Sequence, residues 1–285
     1  MIFSVKSVIL LLLLFVFNFR VWAFEIRLST TTPAQGDTLA VEVKGVEIGN
    51  EYSCWFNARE RNLYPTKGGS LRALIGLAYN FVPGRYAVLI AEKGKERKKK
   101  KKYKLLFVNR KVFPVSYVKF TSEKRRLIGS PLNKRETDLI STALRIEKKK
   151  QNWEGKFILP VEGKINGKYG VKRIAGKDFL WSHKGVDIRV PQGTPVQAAN
   201  SGEVILAEEG FYIHGKTVTI DHGQGITTIY LHLEAITVKK GDKVTKGQVI
   251  GSVGDTGLAT GPHLHWGLYV HGVPVDPLPW VKIEY

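Results

Sequence analysis

The chain has 285 residues, enough for two domains that each bury a core, and its 43% hydrophobic and 24% charged residues exclude disorder and a collagen-like period. A formal charge of +19 draws it to polyanions, so nucleic acid, anionic lipid and acidic wall polymers are the classes that charge alone leaves open. Its one cysteine, Cys54, excludes an intrachain disulfide and reads as a small buried apolar residue, leaving packing and metal to supply stability.

Residues 1–23 place Lys6 before an apolar run at 8–17 and finish in Val21-Trp22-Ala23, the pattern of a secretory signal peptide. A membrane span needs about 20 apolar residues, and Asn18 and Arg20 interrupt the run too early. The expected mature chain begins near Phe24, carries +17 after loss of Lys6 and Arg20, and is periplasmic or extracellular without stable membrane insertion. Retention of the segment as an anchor is the alternative. Export makes nucleic acid the least suited of the polyanionic partners.

From 24 to 112, short apolar alternations such as TLAVEVKGV (38–46), RYAVLIAE (85–92) and YKLLFVNR (103–110) are separated by Gly, Pro and Asn, which predicts an immunoglobulin-like β-sandwich. The basic tract at 97–104 would fall in a hairpin between its last two strands, where lysines also discourage edge pairing. Residues 113–155 read as a linker carrying one helix, the only one expected in the mature chain. Ser130-Pro131 is its start signal, Leu139, Ile140, Ala143, Leu144 and Ile146 lie near helical spacing, and Lys148, Lys149 and Lys150 would supply a basic last turn. From 156 to 285 the chain becomes Gly-punctuated strands, predicting a compact, mostly antiparallel β domain.

Three segments of this last domain concentrate chemistry. His183-Lys184-Gly185-Val186-Asp187 places a histidine and an aspartate four apart, and Gly185 with Val186 argues for a turn entering a strand rather than a helical face. His232 lies in Ile229-Tyr230-Leu231-His232-Leu233, and His263 and His265 stand at i and i+2, on one side of a strand. Zinc takes imidazole nitrogen and carboxylate oxygen, and a catalytic site uses three protein ligands. Two histidines and one aspartate meet that count. With no glutamate beside a ligand, proton transfer falls to His232 and to whichever of His263 and His265 is not a ligand. Tyr230 would face the same side as His232 and either line the groove or pack. His222 reads as structural, and His214 and His271 as loop residues without partners.

SHKGVDIRVPQGTPVQAANSGEV, VTIDHGQGITTIYLHL and VKKGDKVTKGQVIGSVGDTGLATGPHLHWGLYVHGVPVDP, within 163–277, resemble the lysostaphin-like (M23) zinc metallopeptidase family. The resemblance implies zinc ligation by His183, Asp187 and His265, catalytic roles for His232 and His263, and a groove floored by antiparallel strands. Departures are Gln224 where HGNG is common, Lys184 where serine is frequent and Trp266 where Phe is usual; none is a ligand. It further implies hydrolysis of peptide bonds in cell-wall peptidoglycan. The alternative is a non-catalytic regulator or wall-binding protein, as in members that have lost ligands; this sequence keeps all five positions. GDKVTKGQVIGSVG is also similar to hairpins of lipoyl-like carriers, which would leave the His and Asp set unexplained.

Overall fold

The alternation at 38–46 becomes the strand Thr38–Lys44, which buries Leu39, Val41 and Val43 on one face. The computed structural model describes residues 24–285 apart from 48, 94–99, 119–120, 123–125, 127, 129 and 176–177. The expected signal segment and Arg97 to Lys99 of the basic tract lie outside the described residues. Thr38–Lys44 sits in a four-stranded antiparallel sheet ordered Glu25–Leu28, Thr38–Lys44, Leu71–Gly76, Tyr64–Pro65. A second is ordered Arg59–Arg61, Tyr52–Phe56, Gly84–Glu92, Lys101–Val108. Residues of both, including Val41, Ile75, Cys54, Val88 and Val108, share one hydrophobic core. Cys54 is fully buried there, and burial pushes its thiol up to about 12.

The opposite face of the first sheet is also covered. Leu74 belongs to the core of the C-terminal domain, with Ala40 packed against it, and Trp280 Nε1 donates to Thr38 Oγ1 at 3.1 Å. Arg72 donates to Tyr285 O at 2.6 Å and to Gln224 Oε1 at 2.8 Å while its guanidinium lies over the Trp153 ring. The two halves therefore share buried apolar surface and charge-assisted hydrogen bonds.

The segment between them is not a free tether. Val115–Tyr117 pairs in parallel with Lys172–Ala175, which pairs with Asp178–Ser182. The predicted helix is Pro131–Ala143, with Ser130 Oγ accepting the Asn133 N–H at 3.3 Å and proline in its first turn. Ile140, Ala143 and Leu144 pack against Ile205, Ile229, Leu231 and Tyr269 of the C-terminal domain. The basic last turn expected from sequence is absent: the helix stops at Ala143, and Lys148 to Lys150 lie beyond it. The chain is drawn out there along a hairpin, Lys148 O accepting from Gln224 N at 2.6 Å and Asn152 N donating to His222 O at 2.7 Å. A second helix, Leu278–Lys282, buries Trp280 and at five residues was too short to show periodicity.

In the C-terminal domain one antiparallel sheet runs Lys164–Gly167, Val186–Arg189, Leu264–Val270, Ile226–Ile236, Lys216–Gly223, Gly202–Glu208, Lys243–Val244, with Val249–Val253 also paired to Ile226–Ile236. Val186, Ile188, Val218, Ile220, Leu264 and Leu268 fill one side of it. His222 is structural, as expected: fully buried, with Nδ1 at 2.8 Å from Ser201 O and Nε2 at 2.8 Å from Thr228 Oγ1. Burial pushes it down to about 4. The folded state thus refuses a proton that the unfolded chain takes up below about pH 6.5, so stability is full above that pH and falls towards pH 4. A loss on the order of 2–3 kcal/mol from this residue is expected. Urea denaturation at pH 7.0 and 4.5 should show it, with a smaller pH dependence in His222→Gln; equal dependence would reject it.

Candidate active site

The strand Asp178–Ser182 ends at His183, whose N–H donates to Val171 O at 2.9 Å and whose carbonyl accepts from Gly170 N at 2.8 Å. Its Nδ1 lies 2.9 Å from Lys168 O, so this nitrogen carries the proton and Nε2 presents a lone pair. Asp187 follows on Val186–Arg189, directly opposite His265 of Leu264–Val270 in the ladder. The turn-into-strand reading of HxxxD therefore holds.

These side chains converge. Asp187 Oδ1 is 2.8 Å from His183 Nε2 and 3.0 Å from His265 Nδ1, and the two nitrogens are 2.9 Å apart. Asp187 Oδ2 accepts from Arg173 Nη2 at 3.0 Å. Burial opposes ionisation of Asp187, but His183 and His265 beside it more than compensate and hold its carboxyl well below the usual range. Burial pushes His265 down to about 4.

The donor set fits zinc: two imidazole nitrogens and one carboxylate oxygen, with His183 and Asp187 each oriented by a further hydrogen bond. Ligand bonds of about 2.0–2.1 Å in a tetrahedron would set donor atoms roughly 3.3 Å apart, a few tenths of an ångström wider than found here. Among the described residues this is the group of His, Cys, Asp and Glu placed to hold a metal.

His232 and His263 lie beside it, their rings 4.9 Å apart and that of His232 6.4 Å from His265. His263 Nε2 is 3.8 Å from Asp187 Oδ1, and its Nδ1 is 2.8 Å from Gly261 O. His232 Nδ1 is 2.8 Å from Thr256 O, leaving Nε2 for the groove, and burial pushes this imidazole down to about 3. His232 has φ of +64°, a left-handed conformation rare within strands. That backbone breaks the strand alternation, so Ile229, Leu231 and His232 all line the cleft. Tyr230 accordingly does not line the groove: it is fully buried, its hydroxyl accepting from Ala199 N at 2.8 Å.

Several contributors escaped sequence reasoning. A Cβ at Gly167 would lie 2.2 Å from Asp187 Oδ2, and one at Gly185 would lie 2.3 Å from Trp266 O and 2.9 Å from His265 Nε2. Both positions must be bare for Asp187 and His265 to pack as they do. Neither their spacing nor that of Arg173 marks them out, because the contacts cross between strands. His214 and His271 are not without partners: His214 Nδ1 lies 2.8 Å from Glu136 Oε2, and His271 Nδ1 lies 3.0 Å from Glu147 Oε2. Glu147 also accepts from Asn62 and the Tyr64 hydroxyl of the N-terminal half, and with His271 these bonds hold it down to about 2.

A β domain in which two imidazoles and a carboxylate converge at the head of a cleft has the form of a metal-dependent hydrolase centre. Residues 181–277, about a third of the chain, match Peptidase family M23. Over 96 residues, 34% of this chain, it is 48% identical to the peptidoglycan DD-endopeptidase ShyA of Vibrio cholerae. Over 97 residues it is 44% identical to the DD-carboxypeptidase/endopeptidase Mpg of Neisseria meningitidis. The chain spans 22% of the length of each of these relatives. A crystal structure of a peptidase M23 from Pseudomonas aeruginosa is similar over 87% of this chain and 95% of that one, with TM-score 0.66 and 27% identity.

Proposed function

We propose that the protein is an exported zinc-dependent endopeptidase that hydrolyses peptide bonds in bacterial cell-wall peptidoglycan. The observation that carries this reading is the convergence of His183 Nε2, Asp187 Oδ1 and His265 Nδ1 within about hydrogen-bond distance, with two further imidazoles at their edge. The names of the M23 relatives support the substrate class. His183, Asp187 and His265 would hold zinc, which when bound would supply an activated water near neutral pH and a Lewis acid for the scissile carbonyl. His232 and His263 each tie Nδ1 to a backbone carbonyl and keep Nε2 towards the groove, which suits proton transfer to the leaving amine or donation to the developing oxyanion. Burial keeps His232 neutral well below pH 7, so with Nδ1 tied to Thr256 O its Nε2 presents a lone pair to the groove.

In the same reading residues 1–23 are a signal, 24–112 an immunoglobulin-like domain, 113–155 a linker with its helix and 156–285 the peptidase domain. The strand order of the two N-terminal sheets, with Thr38–Lys44 beside Leu71–Gly76 and Tyr52–Phe56 beside Gly84–Glu92, supports the immunoglobulin-like type. Among the described residues no helix is long and apolar enough to cross a membrane.

The test is zinc content of the purified protein together with mass spectrometry of an intact peptidoglycan digest. About one zinc per chain and products cut in their peptides, both lost on chelation, are expected. Zinc without cleavage would favour a regulator, and N-terminal sequencing of exported protein should begin near Phe24.

A further inference from the structure

Opposite the histidines, the cleft of about 730 Å³ is walled by the helix Pro131–Ala143, which lies outside the matched peptidase region. Asn133, Thr137 and Ser141 line it at intervals of four, hence on one helical face. Thr137 and Ser141 spend their hydroxyl protons within the helix: Thr137 Oγ1 donates to Asn133 Oδ1 at 3.3 Å and Ser141 Oγ to Asp138 O at 3.2 Å. The Asn133 amide N–H groups and the remaining hydroxyl lone pairs are left for whatever enters the cleft.

The helix is fixed in this position. Its Ile140 and Ala143, with Leu144, pack on Ile205, Ile229, Leu231 and Tyr269, and Glu136, 4% exposed, accepts from the N–H groups of Tyr212 at 2.5 Å, Ile213 at 3.1 Å and His214 at 3.2 Å as well as from His214 Nδ1. His214 O in turn accepts the His232 N–H at 3.1 Å, so the wall is tied directly to the backbone of a proposed catalytic histidine.

We propose that Asn133, Thr137 and Ser141 form a binding wall for the peptide portion of the substrate, holding an extended chain against the histidine cluster. This rests on the peptidase reading above. From position 133 to 141 the helix rises roughly 12 Å, the length of three to four extended residues. An amide that donates and hydroxyl oxygens that accept match the carbonyl and N–H groups of a peptide backbone. Ile229, Leu231 and Tyr269, on which the helix also packs, line the apolar base of the cleft.

The probe is a sugar-free crosslinked peptide, assayed with the zinc-loaded full chain and with an Asn133→Ala/Thr137→Ala/Ser141→Ala variant. Alanine favours helix, so the wall should persist, which circular dichroism checks. KM about tenfold higher, with kcat and zinc content unchanged, is the expected result. Unchanged KM would overturn the proposal, as would faster turnover, which would mean that the wall restricts entry. If the wild type does not cleave the peptide, the functional reading fails, and calorimetry still decides on the wall. Binding about tenfold weaker in the variant supports it; equal binding, or none to the wild type, overturns it. A dependence seen with glycan-bearing fragments alone would assign the wall to sugar and also overturn it.

Discussion

His265→Ala is expected to lose tightly bound zinc and, with it, peptidoglycan hydrolysis by about a thousandfold or more, because two protein ligands remain where a catalytic zinc takes three. His263→Ala, two residues earlier, should keep about one zinc per chain while turnover falls roughly 10²–10⁴-fold, the usual worth of a proton-transfer group. Geometry sets them apart: His265 Nδ1 is 3.0 Å from Asp187 Oδ1, whereas His263 Nε2 is 3.8 Å away and its ring lies against His232. His232→Ala should behave like His263→Ala. Zinc content and turnover on each variant, with circular dichroism to exclude misfolding, are the measurements. Loss of zinc in His263→Ala and retention in His265→Ala would reverse the assignment, and full activity in both would remove the peptidase reading.

Gly167→Ala should weaken zinc binding about 10- to 100-fold without unfolding the domain, although residue 167 contributes no ligand atom. The new methyl would sit 2.2 Å from Asp187 Oδ2 and 2.7 Å from its Cγ, far inside contact distance. The carboxylate must then turn away from Arg173 Nη2, which holds it at 3.0 Å, and its Oδ1 leaves the point on which both histidines converge. Competition with a chromophoric chelator measures the affinity. An unchanged zinc affinity would show that the strand pair yields instead of the carboxylate.

The sequence by itself determined the β-rich character of both halves, since period-two burial such as that of Leu39, Val41 and Val43 is written directly in the order of side chains. It also determined the start of the helix at Ser130-Pro131, where capping depends on neighbours in the chain, and marked His183, Asp187, His232, His263 and His265 as candidates through three short motifs and their family resemblance. Tertiary structure decided what non-local contacts control. The helix ends at Ala143 and the chain beyond it, at Lys148 and Asn152, is bonded to the hairpin at 221–226, while the positive φ at His232 breaks the alternation and turns its ring to the cleft although Tyr230 faces the core. Arg173 and Gly167 meet Asp187, Gly185 meets His265, and Glu136 reaches His214, through approaches between segments that are distant or unpatterned in sequence. Spacing reports what one segment presents, whereas the partner it meets depends on how strands and helix pack.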